Sequence, residues 1–137
     1  MLSVPFATLI NRKVLIPSSR TNYYVVDKSH FIDLMRPILR QIYVDEEWYT
    51  RFYPDIEQAL SSRIVDSASD HYVTFGYYEH RLPYAIEVDQ PWYLTQYPDV
   101  DEAVSKGLFA SAHDHFYAAG FQEGRLPCAN FSLKSTC

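Results

Sequence analysis

The chain has 137 residues, including 12 Tyr, 8 Phe and 2 Trp, and a formal net charge of −5. That length suits a single domain with a real core, and 47% hydrophobic against 21% charged residues excludes a disordered chain. Its longest basic cluster is Arg12-Lys13, which excludes a nucleic-acid binder needing a basic stripe.

Residues 1–27 read as extended. Lys13–Pro17 and Tyr23–Asp27 are β-rich runs separated by the polar turn SSRTN, a hairpin pattern. The apolar start lacks a basic lead and Pro5 interrupts it, so it does not read as a signal peptide. No run approaches the length of a membrane span, so a soluble, cytoplasmic protein is expected. Lys28–Ile42 reads as a helix with Ser29 at its N-cap. Phe31, Leu34, Met35, Ile38 and Leu39 lie on one apolar face, and Pro37 is expected to kink or shorten the helix.

Val44–Glu87 then returns without a gap as Val88–Phe131, with 19 of 44 positions identical. A period in this range marks stacked supersecondary units. Each copy reads as three short helices. Asp45 and Asp89 are N-caps for the first, and Tyr-Pro-Asp at 53–55 and 97–99 breaks it and starts the second. Ile56, Ala59 and Leu60, with Val100, Ala103 and Val104, give the second helix its apolar face. The third opens on the capping-box patterns Ser67-x-x-Asp70 and Ser111-x-x-Asp114. Ala68, Tyr72 and Phe75 (Ala112, Phe116 and Ala119) are its expected buried stripe. Gly76 and Gly120 suit a left-handed helix end. Should the position of His80 and Gly124 also be left-handed, the first copy holds strain there.

The expected fold is therefore mainly α: a hairpin-like segment and one helix (1–43), tandem three-helix repeats (44–87 and 88–131) and a fraying tail (132–137). Two repeats leave open end faces, and the Phe31–Leu39 helix is the first choice to cover one; the hairpin and a second chain are the alternatives. Cys128 and Cys137 match no zinc spacing and no disulfide framework, so free thiols are expected.

The pattern WYxxxYPD(I/V)xxA…SAxDH(Y/F)xxxGxxExRLP resembles a short helical repeat of bacterial proteins. Such units are attached to glycosyltransferases or methyltransferases of polysaccharide pathways and to calcium-binding-repeat exoproteins. The resemblance covers residues 44–131 and implies no particular activity; residues 1–43 lie outside it.

Four sets of residues are candidates for chemistry. His71 and His115, each after an Asp, could serve as a base or, with His113, as metal ligands, but neighbouring residues on a helix diverge and a structural hydrogen bond is favoured. Arg81 and Arg125 could grip an anion; pairing with Asp55 or Asp99 is favoured. Trp48-Tyr49 and Trp92-Tyr93 could stack on sugars or fill the core, the latter favoured. Tyr77, Tyr78 and Phe121 are further ring candidates. No phosphate cradle, GxSxG or HExxH pattern is present, so no catalytic residue, cofactor or metal is assigned. The leading reading is a non-catalytic interaction module binding a protein partner or itself as a dimer. The alternatives are a carbohydrate-binding module and a small metal- or His-dependent enzyme.

Overall fold

A computed structural model describes residues 5–20, 22–135 and 137. The extended reading of residues 1–4 lies outside the described residues. The chain divides into two compact units, residues 1–41 and 42–137. The boundary falls slightly ahead of the sequence repeat because Ile42 packs in the first repeat's core.

The first unit is not wholly extended. Phe6–Asn11 forms a helix, α1, where an extended segment was expected. Pro5 stands just before it, where a missing N–H is needed by no carbonyl, and a fixed φ favours a helix start. Two short antiparallel strands follow, β1 (Ile16–Pro17) and β2 (Tyr24–Val25), in register Ile16↔Val25 and Pro17↔Tyr24. Helix α2 spans Lys28–Leu39, and Pro37 lies two residues from its end. Its N-cap is Asp27, not Ser29: the Asp27 carboxylate accepts the His30 N–H, while Ser29 donates its hydroxyl to the same carboxylate. These donors hold the Asp27 carboxyl well below the usual range. Leu39 is buried on the apolar face, whereas Phe31 and Ile38 are exposed.

In the second unit each repeat is three helices. The first repeat has α3 (Glu46–Phe52), α4 (Asp55–Ser61) and α5 (Ala68–His71); the second has α6 (Gln90–Gln96), α7 (Pro98–Ser105) and α8 (Ala112–His115). Asp45 and Asp89 accept the N–H of Trp48 and Trp92, and Ser67 and Ser111 accept those of Asp70 and Asp114. Helices α5 and α8 do not stop at the histidines. They continue as wider π-turns over Tyr72–Gly76 and Phe116–Gly120, in which Tyr77 N–H donates to the Tyr72 carbonyl five residues back.

That change of pitch corrects two expectations. Phe75 is 40% exposed instead of buried, because a wider turn rotates it off the core face. Gly76 and Gly120 are not left-handed. The left-handed positions that the two repeats share are His80 (φ 59) with Gly124 (φ 76), and Arg63 (φ 54) with Gly107 (φ 73).

Each repeat closes on itself. Asp45 N–H donates to the Pro83 carbonyl and Asp89 N–H to that of Pro127, both at 3.0 Å. The repeats then share a core. Leu82, Tyr84 and Ile86, at the end of the first copy, pack with Tyr93, Val100 and Phe116 of the second, and Trp48 packs against both cores. Tyr117 Oη accepts the Ile86 N–H at 2.7 Å and donates to the Ile86 carbonyl at 3.0 Å.

The tail is the last correction. Cys128 and Cys137 are joined in a disulfide across a sequence separation of 9, not free. Ser132 and Ser135 pair across a turn, and Tyr84 donates its hydroxyl to the Leu133 carbonyl. Sequence spacing cannot see that the chain turns back after Phe131, which is what brings the two sulfurs together.

The left-handed sites carry a prediction. Glycine adopts that conformation without the Cβ penalty, so Arg63→Gly and His80→Gly should each stabilise the chain by roughly 0.5–1 kcal/mol. Urea unfolding followed by tryptophan fluorescence measures this; a lower midpoint in both variants would contradict the backbone assignment.

Candidate functional site

The two buried histidines belong to two copies of one arrangement. The Tyr49 ring, fully buried on α3, places its hydroxyl 3.1 Å from His71 Nδ1; Tyr93 on α6 does the same to His115 at 3.0 Å. The histidines are 7% and 6% exposed. Burial, followed by the nearby Arg81 or Arg125 charge, lowers both imidazole pKa values, so the rings are neutral at pH 7. Burial likewise raises the Tyr49 hydroxyl and pushes Tyr93 up to about 12.

The glycines explain how the hydroxyls fit. A Cβ at Gly76 would lie 2.2 Å from Tyr49 Oη, and one at Gly120 2.2 Å from Tyr93 Oη. Glycine is required here for close approach, not for its φ. Tyr49 also packs edge-on to Tyr72, as Tyr93 does to Phe116. The Tyr72 hydroxyl, which Phe116 lacks, is buried with no hydrogen-bond partner among the described residues.

The arginines complete a second repeated arrangement. Arg81 donates from both terminal nitrogens to the Asp55 carboxylate at 2.8 and 2.7 Å, and from Nε to Glu79 at 2.7 Å. Its guanidinium lies 4.9 Å over the Tyr53 ring, whose hydroxyl accepts the Leu82 N–H. Arg125 repeats every contact with Asp99, Glu123, Tyr97 and Leu126. These guanidinium groups hold Asp55 and Asp99 below the usual carboxylate range. The fork that could grip an anionic ligand is engaged inside its own repeat.

Trp48 and Trp92 are half-buried against the cores, and Tyr93 is enclosed. Tyr77 and Phe121 are half-buried against the first and second cores. Tyr78 is half-buried and its ring meets Tyr77 edge-on. The structure does not gather these rings into one site. His113 is exposed on α8 and stacks on Tyr117 at 4.3 Å, away from any partnership with His115. Among the described residues no three His, Cys, Asp or Glu side chains cluster as metal ligands.

What does form a concave surface is the seam between the repeats. Phe52 of α3 meets Tyr117 of the second copy at 5.9 Å, and Trp48 stacks on Phe52 at 4.6 Å. A cavity of 540 Å3 opens beside Trp48, Phe52, Ala85, His113 and Tyr117. A second, of 360 Å3, opens on the other residues around Phe52 and Tyr117, between Asp55–Arg81 and Phe121. Phe52 is 46% exposed. The key seam residues stand where the copies differ: Phe52 against Gln96, Tyr117 against Val73, His113 against Ser69.

No family model, curated protein or solved structure matches the chain.

Sequence reasoning missed Phe52, Tyr117 and Ala85 as a surface. It also missed Glu46, whose carboxylate accepts the N–H groups of Ala68 and Ser69 from the next helix start but one. For Phe52 and Tyr117 the mismatch between the copies was the available signal; Ala85 recurs as Ala129, and Glu46 is matched by Gln90, whose Oε1 accepts the Ala112 N–H.

Two predictions follow from the enclosed tyrosines. Gly76→Ala should cost about 1–3 kcal/mol through overpacking against the hydroxyl. Adding Tyr49→Phe, which removes the clashing oxygen, should recover part of that loss in a double-mutant cycle; strictly additive losses would contradict the contact. The histidines make stability pH-dependent. Their folded pKa values lie below the ordinary 6.5, so the unfolded chain binds more protons below that pH and stability falls with acidification. The melting temperature should be level above pH 6.5 and drop toward about pH 5, with NMR showing both imidazoles titrating below 6.5. A melting temperature that rises on acidification over that window would exclude neutral buried imidazoles.

Proposed function

We propose that this chain is a non-catalytic interaction module whose recognition surface is the seam between its two repeats and whose partner is a protein. One observation carries the reading. The histidines, arginines and glutamates common to both copies are engaged inside their own repeats, while the exposed rings of the seam come from positions where the copies differ. A central aromatic cluster in a groove with a polar rim is how protein interfaces concentrate binding energy. The resemblance of the repeat to segments attached to polysaccharide-pathway transferases fits a module that holds a partner in place.

The exposed Phe52 face and the Trp48 behind it favour a second reading, an oligosaccharide stacked on the rings. The disulfide favours an oxidising compartment over the cytoplasm expected from the sequence, because cytosolic thiol buffers keep such bonds reduced. No helix of the described residues is long and apolar enough to cross a membrane.

Phe52→Gln tests the proposal with the residue its twin holds at 96. Peptides panned from a random library against the wild-type chain should shift tryptophan fluorescence, and the variant should lose about tenfold or more in affinity, roughly 1.4 kcal/mol. Oligosaccharides producing the shift while peptides do not would move the assignment to the second reading. A concentration-dependent dimer in sedimentation that the variant abolishes would make the partner a second copy. Silence in all three assays, with the variant folded, would overturn the module.

A further inference from the structure

The two repeats are joined by the connector 82–87, and the C-terminal tail lies against it. Leu82, Tyr84 and Ile86 enter the second core, and Tyr117 holds both backbone groups of Ile86. The tail reaches the same stretch. Tyr84 Oη donates to the Leu133 carbonyl at 3.2 Å, and Cys137 Sγ lies 3.7 Å from the Glu87 carbonyl oxygen. A sulfur in a disulfide carries no hydrogen, so this last approach is a packing contact. A cavity of 260 Å3 separates Ala85, Ile86 and Glu87 from Phe131 and Cys137. Ala85 also lines the 540 Å3 groove at the seam, so connector, groove and tail meet at one residue.

The second copy differs from the first in just this region. Cys128 stands where the first copy has Tyr84, and Asn130 where it has Ile86, the side chains with which the first repeat engages the second. The second repeat thus has no apolar pair to pass forward at these positions. Its buried Cys128 is instead tied to the exposed Cys137, returning the tail to the connector.

We propose that the Cys128–Cys137 disulfide is a redox-sensitive clasp on the inter-repeat joint. Oxidised, it pins the tail on residues 84–87 and holds the repeats in one register; reduced, it releases the tail and the connector loosens. Opening takes two electrons and two protons from a dithiol. A thiolate of the reductant attacks exposed Cys137 Sγ, Cys128 leaves as a thiolate and takes up a proton, and the reductant's second thiol closes its own disulfide, freeing Cys137 as a thiol. Any effect on ligand binding rests on the seam being the recognition surface; the clasp itself does not.

Amide hydrogen exchange on the full chain tests the clasp, comparing the aerobically purified protein, the same protein in dithiothreitol, and Cys137→Ser. Exchange at 84–87 should accelerate on the order of tenfold or more in both perturbed samples while α3 and α4 are unchanged. Free thiols in the aerobic protein by intact mass, acceleration confined to 131–137, or exchange rising across α3 to α8 alike would each overturn it. The exchange pattern is read without any ligand, so failure of the clasp and failure of the binding reading are separate results.

Discussion

A tyrosine hydroxyl pressed against a glycine and bonded to a neutral histidine organises each repeat. Tyr49 enters from the first helix, and its oxygen occupies the space a Cβ at residue 76 would fill. His71 receives that oxygen from the third helix, on the last α-turn before the backbone widens. Three features therefore depend on one another: the missing side chain, the wide turn and the uncharged imidazole. A buried hydroxyl left unbonded would cost free energy, and the histidine removes that cost. The second copy rebuilds the whole arrangement with Tyr93, His115 and Gly120, while the ring beside it changes from Tyr72 to Phe116. What the fold requires is the partnered hydroxyl, not the neighbouring one.

Duplication assigns the residues to two tasks. Side chains that close a single repeat recur in both copies: Asp55 with Arg81, Tyr53 beneath the guanidinium, and the Pro83 carbonyl that takes the Asp45 N–H. Several side chains that join one repeat to the next do not recur, because each copy has a different neighbour. Phe52, Tyr117, Tyr84 and Ile86 are of this kind. The concave aromatic surface described between the repeats is centred on Phe52 and Tyr117, which is why the proposed function rests on the joint and not on the histidines that first attract attention.

The helical scaffold was legible because its signals are local. Asp45, Asp89, Ser67 and Ser111 sit where orphan helix N–H groups need acceptors, and Tyr-Pro-Asp interrupts the chain through proline's effect on its predecessor. The misreadings also have physical causes. Gly76 looked like a helix end because glycine's freedom of φ is a local property, whereas the close approach of Tyr49 involves a residue 27 positions earlier. Phe75 was placed inward by extrapolating an α-helical period through a turn whose hydrogen bonds span five residues. Helix α1 was hidden in a run of apolar residues too short for periodicity to distinguish helix from strand.

By itself the sequence determined that a three-helix unit occurs twice, where its helices start, and that a two-stranded hairpin precedes one longer helix. Those follow from backbone hydrogen-bonding and side-chain spacing within a few residues. Tertiary structure decided which tyrosine meets which histidine, why two glycines are needed, that Cys128 and Cys137 are joined, and that Phe52 and Tyr117 form a seam. Each of these depends on chain segments brought together from a distance, and packing of that kind leaves no periodic trace in the order of residues.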